Sequence, residues 1–317
     1  MLTASDTAWA PGGHEVSWGQ SAVDLLPPAA PVHGLDTAPL VRSRAAAPLV
    51  LGTARFDSAT GELVSLGSLH VPMPPVLDLW RAPTSNDRAP GQEDSQEKRW
   101  REEGLDMMCS RTESIRVTDD VLQVVTVTGP RGHGQAIRST WTWRSHPDGG
   151  LDLNLAVTPT GRWTTTWPLL GVRMGVEGGI DTVSWIGMGP GEAYPDTHSA
   201  VRFGSWTSGL AELQTPYVVP QENGRREGMR SMSLRRGDAT LLSLDAHSEI
   251  GFSVRPWTSE TLEKAGHLAD LHPGPLTVLT LDAGVDGIGS ASCGPGPSEE
   301  SRLYPAPMHL SFTVRAD

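Results

Sequence analysis

The sequence predicts an all-β protein made of many short antiparallel strands, and three observations carry that reading. Segment after segment alternates apolar and polar residues with period two rather than 3.6. Gly, Pro, Asp and Asn recur about every ten residues between those segments, as turn signals should. Stretches with helical periodicity are scarce.

Taken in order, TAWAPGGHEVSWGQ (7–20) reads as a single hairpin or edge strand, too little to fold alone. Residues 1–22 are therefore assigned to a neighbouring domain. Residues 23–48, rich in Pro and Ala and without lasting period, read as an extended linker. LVLGTARFDSATGELVSLGSL (49–69) reads as strand, a turn around Ser58–Gly61, and strand. SQEKRWREEG (95–104) predicts a helix, with Asp94 or Ser95 as N-cap, a Glu97–Arg101 pair one turn apart and Gly104 as the stop. The segments 121–129, 139–145, 151–159, 229–237 and 308–316 are strands by alternation, and 259–267 is a second helix. No second linker and no fixed repeat follows, so 49–317 is expected to be one large domain.

Composition narrows the partners. Acidic residues outnumber basic ones 37 to 25, and a net charge of −12 repels phosphate backbones and anionic lipid heads. Nucleic acid and membrane are not expected partners. No apolar run reaches the roughly 18 residues of a spanning helix, and no basic-then-apolar leader opens the chain, so a cytoplasmic location is expected. The two cysteines, Cys109 and Cys293, are far apart and predict free thiols. Ten histidines lack ligand spacing, so no metal is expected on this chain. Eleven Trp against three Tyr and four Phe suit either a sandwich core or platforms for sugar rings.

Three clusters are chemically dense. WIGMGPGEAYPD (185–196) reads as a strand ending at Trp185 and Ile186, then turns on Gly187, Gly189, Pro190 and Gly191. It is no phosphate loop, because proline interrupts it and no amphipathic helix follows. Glu192 and Asp196 are either catalytic carboxylates or acceptors of backbone N–H bonds in a turn. Glu222 lies in YVVPQENGRREG (217–228), and Arg81, Asn86, Asp87 and Arg88 crowd LWRAPTSNDRAPGQEDSQEKRW (79–100). A polar loop of that kind suits a binding edge or paired surface charges.

In this order, RAPTSNDR (81–88) with KRWREEGL (98–105), WIGMGPGEAYPD (185–196), TPYVVPQENGRREGMR (215–230) and GIGSASCGP (287–295) resemble the C-terminal region of the large bacterial β-galactosidases of glycoside hydrolase family 2. The resemblance runs from about residue 50 to the C-terminus, and 7–20 resembles the last strand of the preceding immunoglobulin-like domain. It implies a large antiparallel β-supersandwich, galactose mutarotase-like in shape, found in some bacteria on a separate small subunit. It also implies that both catalytic Glu residues, and Mg2+ with Na+ as a second candidate ion, belong to a barrel on another segment or chain. The expected partners are that catalytic large chain and a β-galactoside, in a hetero- or homo-oligomer.

The same resemblance assigns roles. The loop from about Arg88 to Gln96 resembles a segment that opens and closes in the family. At the loop 289–296 the family's sugar-stacking tryptophan is replaced by Cys293, which weakens stacking by about 1–2 kcal/mol. Ser292, Cys293, Gly294, Asn86, Asp87 and Arg88 are thus candidate substrate contacts. Arg81, Glu192, Tyr194, Pro195, Asp196, Glu222, Asn223 and Gly224 are candidate structural residues, and no catalytic residue is expected here. Two other readings stay open: a galactose-binding module, and an aldose-1-epimerase using His198 and Glu222.

Overall fold

The structure, a computed structural model, describes residues 2–3, 5–21, 48–89, 95–118, 120–289 and 296–316. The chain divides into two units, Met1–Thr37 and Ala38–Asp317. In the first, Leu2–Thr3 pairs antiparallel with Glu15–Ser17, so 7–20 contributes one strand, Glu15–Ser17, and its partner precedes that segment. Its connection is held by Gly12 N donating to Asp6 Oδ1 at 2.8 Å and by the Trp9 ring meeting His14 edge-on.

Among the described residues, the second unit contains three antiparallel sheets. The largest has nine strands in the order Arg202–Gly209, Thr182–Gly189, Ser231–Arg236, Ala239–Ala246, Met308–Ala316, Leu151–Thr160, Ala136–Ser145, Val121–Pro130 and Met108–Val117. A second sheet orders Gly251–Arg255, Leu276–Val285, Leu169–Glu177 and Met73–Asp78. A small meander runs Leu49–Leu51, Ala54–Phe56, Leu63–Leu66 and Leu69–His70. All five segments whose alternation predicts strands lie in the nine-stranded sheet.

Alternation explains the layering. Leu151, Leu153, Leu155 and Val157 are buried while Asp152, Asn154 and Ala156 between them are not. Their inward face joins one apolar cluster with Leu170, Val172, Met174, Phe252, Val254, Leu279 and Leu281 of the four-stranded sheet. Trp80, Trp100, Trp141, Trp143, Trp167 and Trp185 belong to the same core. The four-stranded sheet differs in being covered on both faces: every residue of Gly251–Arg255 is buried. Its second face carries Asp78, Arg173, Thr280, Asp282, Ser253 and Arg255, which alternate with the apolar set.

Four local expectations need correction. Residues 49–70 form four strands rather than two, because Gly52, at φ 59°, adds a tight turn before Ala54. The second helix stops at Lys264, since Ala265 is extended and Asp270 takes up the next two free amides, Gly266 N and His267 N. A short helix, Ser85–Arg88, is present where only a loop was expected. Finally, the strand at 182 continues past Ile186 to Gly189, pairing Gly187 with Gly204 and Gly189 with Arg202. There the glycines serve close packing: a Cβ on Gly189 would lie 2.8 Å from the Trp206 ring, whose Nε1 donates to Gly187 O. The first helix agrees with expectation, with Ser95 Oγ capping Lys98 N and Arg101 bonded to Glu97.

Truncating this core should be costly. Leu153→Ala, at a site with no exposure, should lose about 2–5 kcal/mol in urea unfolding. Val117→Ala, at an exposed edge position, should stay within about 0.5 kcal/mol of the parent.

Candidate functional site

The polar outer face of the four-stranded sheet is roofed by the sequence motifs. In register, Gly251, Asp282, Gly171 and Asp78 form one row across the four strands. Gly251 leaves room above the row, while Gly171 lies close against the backbone of Leu281 and Asp282. Arg225 fills the space over Gly251, donating to both oxygens of Asp282 at 2.8–3.2 Å, with Nη1 on Ala193 O. A Cβ on Gly251 would stand 2.6 Å from Asp282 Oδ2 and would collide with the Arg225 guanidinium.

Segment 79–89 begins the roof. Thr84 and Asp87 form a capping box on helix Ser85–Arg88, and Arg81 closes on the same carboxylate at 2.6 and 3.1 Å. Arg81 is fully buried, lies over the Trp100 ring and donates to Gly287 O. Burial pulls its guanidinium pKa down, but the Asp87 charge more than offsets that, so it is raised overall. Asp87 is buried with both oxygens committed to protein donors. Asn86 is half-buried and donates to Ile288 O at 2.7 Å, while Arg88 faces Glu97 at 3.8 Å.

Segment 190–196 grips the same place from the other side. Asp196 accepts from Ile288 N at 3.1 Å and Gly289 N at 2.8 Å. Pro195 occupies the second position of the turn closed by Thr197 N on Tyr194 O. Asn86 and Asp196 thus hold Ile288–Gly289, directly before 290–295. Ser292, Cys293 and Gly294 lie outside the described residues, as do 90–94 of the Arg88–Gln96 loop. Cys109 is free and exposed, with Arg131 Nε on its sulfur.

Glu192 ties the third segment: it accepts from Thr215 Oγ1 (2.8 Å), Tyr217 OH (3.0 Å) and Gly224 N (2.8 Å). Asn223 closes the loop, accepting from Thr215 N and donating to Gln221 O. Glu222 is buried between Tyr194 OH, at 2.9 Å, and Arg255. Burial, then the nearby Glu222 charge, pushes the Tyr194 hydroxyl well above its ordinary pKa. Arg226 has carbonyl partners, donating to Pro190, Leu213 and Gly224. Burial lowers its pKa.

Two further carboxyls are under electrostatic pressure. Asp78 and Asp286 are each raised to about 6, chiefly by burial, with Arg173 partly countering this at Asp78 and Leu303 N at Asp286. His198 is exposed and pairs with Glu227 at 3.3 Å, whereas Glu222 is bonded beneath Tyr194. Among the described residues, no three His, Cys, Asp or Glu side chains are placed to hold a metal ion.

Sequence reasoning missed Arg225, Arg226, Arg255 and Asp282. Their signal was a charge interrupting an apolar alternation, as in LTLDAG and GFSVRP. As it stands the arrangement is a tie-frame: Glu192, Asp196, Asp87 and Asp282 all spend their oxygens on holding loops, three of which converge on Ile288–Gly289 and the sheet row beneath.

A profile described as the beta galactosidase small chain matches residues 52–314, nearly all of the second unit. The chain belongs to this family. Among its relatives, this chain is 33% identical to the β-galactosidase of Arthrobacter sp. strain B7, over 98% of the chain and 32% of that protein. It is 30% identical to the Aeromonas hydrophila β-galactosidase over 91% of the chain and 29% of that protein. With the Kluyveromyces lactis β-galactosidase the identity is 25% over 95% of the chain and 30% of the relative. The small chain therefore spans about a third of the length of these relatives. Among solved structures, a GalM/aldose epimerase homologue from C. elegans superposes loosely, with a TM-score of 0.34 and 10% identity over 65% of this chain and 68% of that one.

Two outcomes follow for the small chain. Gly251→Ala should cost about 3–5 kcal/mol in urea unfolding by parting Arg225 from Asp282, and loss of less than about 1 kcal/mol would contradict the packing described. For pH, Asp78 and Asp286 bind protons more tightly folded than unfolded, so their effect on stability runs opposite to that of a salt-bridged Asp. Stability should fall as pH rises from about 4 through their folded pKa of about 6, by on the order of 3 kcal/mol per group. Urea midpoints at pH 5.5 should exceed those at pH 7.5, and Asp78→Asn should flatten that slope.

Proposed function

We propose that the chain is the small-subunit portion of a glycoside hydrolase family 2 β-galactosidase, releasing terminal non-reducing β-D-galactose with retention. In this reading it completes one wall of the active site and supports assembly, while the catalytic barrel sits on another segment or chain. The match to the small-chain family over 52–314, in a chain one third the length of its β-galactosidase relatives, carries the reading.

The chemistry supports that division of labour. Retaining hydrolysis needs two carboxyl groups about 5 to 5.5 Å apart on either side of the bond to be cleaved. The motif carboxylates Glu192, Asp196, Asp87 and Glu222 are instead tied to protein donors. In this reading Ser292, Cys293 and Gly294 contact the sugar, with Arg88 at the base of the neighbouring loop, and Asn86 and Asp196 support that edge by holding Ile288–Gly289. Mg2+, with Na+ as a second candidate, belongs to the catalytic portion and there would supply electrostatic stabilisation. Residues 1–22 come from an immunoglobulin-like domain, 23–48 link it to the 49–317 supersandwich, and the assembled enzyme is a cytoplasmic oligomer.

Nitrophenyl β-galactoside turnover tests this. The chain alone should show none, and mixing with a β-galactosidase catalytic large chain should produce activity that saturates with added small chain. Turnover by the chain alone, or no activity at any mixing ratio, would overturn the assignment.

A further inference from the structure

We propose that an apolar cavity on the supersandwich is a docking seat for the catalytic large chain, an inference that rests on the galactosidase reading above. The cavity, about 800 Å3, opens between the turn at 178–181, the segment 209–216 and the stretch that follows helix Ser259–Lys264. Ile180, Leu210, Trp257, Leu262, Leu268 and Leu271 give it apolar walls. Leu268, in the lining, is 45% exposed, and in the loop 216–220 Val218 is 81% exposed and Val219 40%. Both valines lie between Pro216 and Pro220, which themselves line the cavity. An apolar cavity with exposed apolar side chains on the segments that form it marks an interaction site more often than a solvent face.

The walls are braced rather than loose. Asp181 accepts from Gly237 N at 2.7 Å and its carbonyl takes Leu210 N; Glu212 accepts from Gly209 N at 3.1 Å. The valine-bearing loop is fastened by Tyr217 and Thr215 on Glu192. These ties also say what the seat fits. Asp181 and Glu212, the cavity's two carboxylates, are engaged with backbone amides, which leaves mostly apolar contact for an occupant. A sugar needs several convergent polar groups, whereas the core of an obligate interface is apolar.

The committed occupant is an apolar segment of the large chain, for two reasons. The relatives carry about two thirds of their length outside the part matched by this chain, and that remainder must bury an interface on it. The seat is also continuous with the frame around Ile288–Gly289: Thr215 and Asn223 line the cavity, and Gln221 of the same loop accepts from Ser85 N, next to Asn86.

The test titrates small chain into a fixed amount of catalytic large chain, reading nitrophenyl galactoside turnover and, separately, binding by interferometry. Val218→Glu/Leu268→Glu should raise the Kd at least about tenfold with the melting temperature unchanged, while Val117→Glu, on an exposed edge strand of the nine-stranded sheet, keeps parental affinity. An unchanged Kd in the double variant, or equal weakening by Val117→Glu, would overturn the seat while leaving the galactosidase reading intact. If sedimentation shows that the small chain alone dimerises and that the double variant is monomeric, the occupant is a second copy and the proposal fails. A parent chain that neither binds nor activates the large chain sinks the galactosidase reading, and the seat with it.

Discussion

Placing charge on the covered face of a sheet creates a debt in hydration that only fixed partners can settle. Asp78, Arg173, Arg255 and Asp282 all sit on the outer face of the four-stranded sheet, and each finds its counter-charge or donor in another segment. Asp282 draws Arg225 down from the 215–226 segment, Arg255 draws Glu222, and Arg173 pairs with Glu260 on the helix beyond. Buried pairs of this kind contribute little net stability over an apolar core of the same shape, but losing one partner is expensive. Their effect is therefore to specify which loop lies where. The apolar side of the same sheet holds the domain together, and the charged side arranges the loops that cover it.

Much of the large sheet could be read directly from sequence, because a face buried on one side only writes alternation into the strand. LDLNLAVTP is legible for that reason. The four-stranded sheet is less so, since GFSVR and LTVLTLDAGV are buried on both faces and their polar residues interrupt the pattern instead of completing it. Glu192 and Asp196 could be read as loop ties from the company of Gly and Pro around them. Their particular partners could not: Asp196 is paired across 92 residues with Ile288, and sequence spacing holds no record of such a contact. The end of the strand at 187–189 reads as turns because Gly189 answers to the Trp206 ring on the next strand, a requirement invisible in one dimension.

Arginine carries most of the long-range organisation. Arg81, Arg225, Arg226 and Arg255 are all buried, and between them they reach Asp87, Asp282, Glu222 and the carbonyls of six other residues. A lysine in any of these places has one compact head and lacks the planar fork that contacts two segments at once. Arg226, with carbonyl partners on three segments, fixes backbone to backbone without relying on the charge of any carboxylate.

The hold on Ile288 and Gly289 has a consequence for how such a domain can change over time. Asn86 and Asp196 meet main-chain atoms there, a carbonyl and two amides, and so the grip does not depend on which side chain stands at 288. Position 289 is less free, because its φ of 79° favours glycine and an added Cβ would stand 3.1 Å from that of Asn86. A lineage can therefore vary residue 288 without rebuilding its supports, whereas residue 289 is inherited together with Asn86.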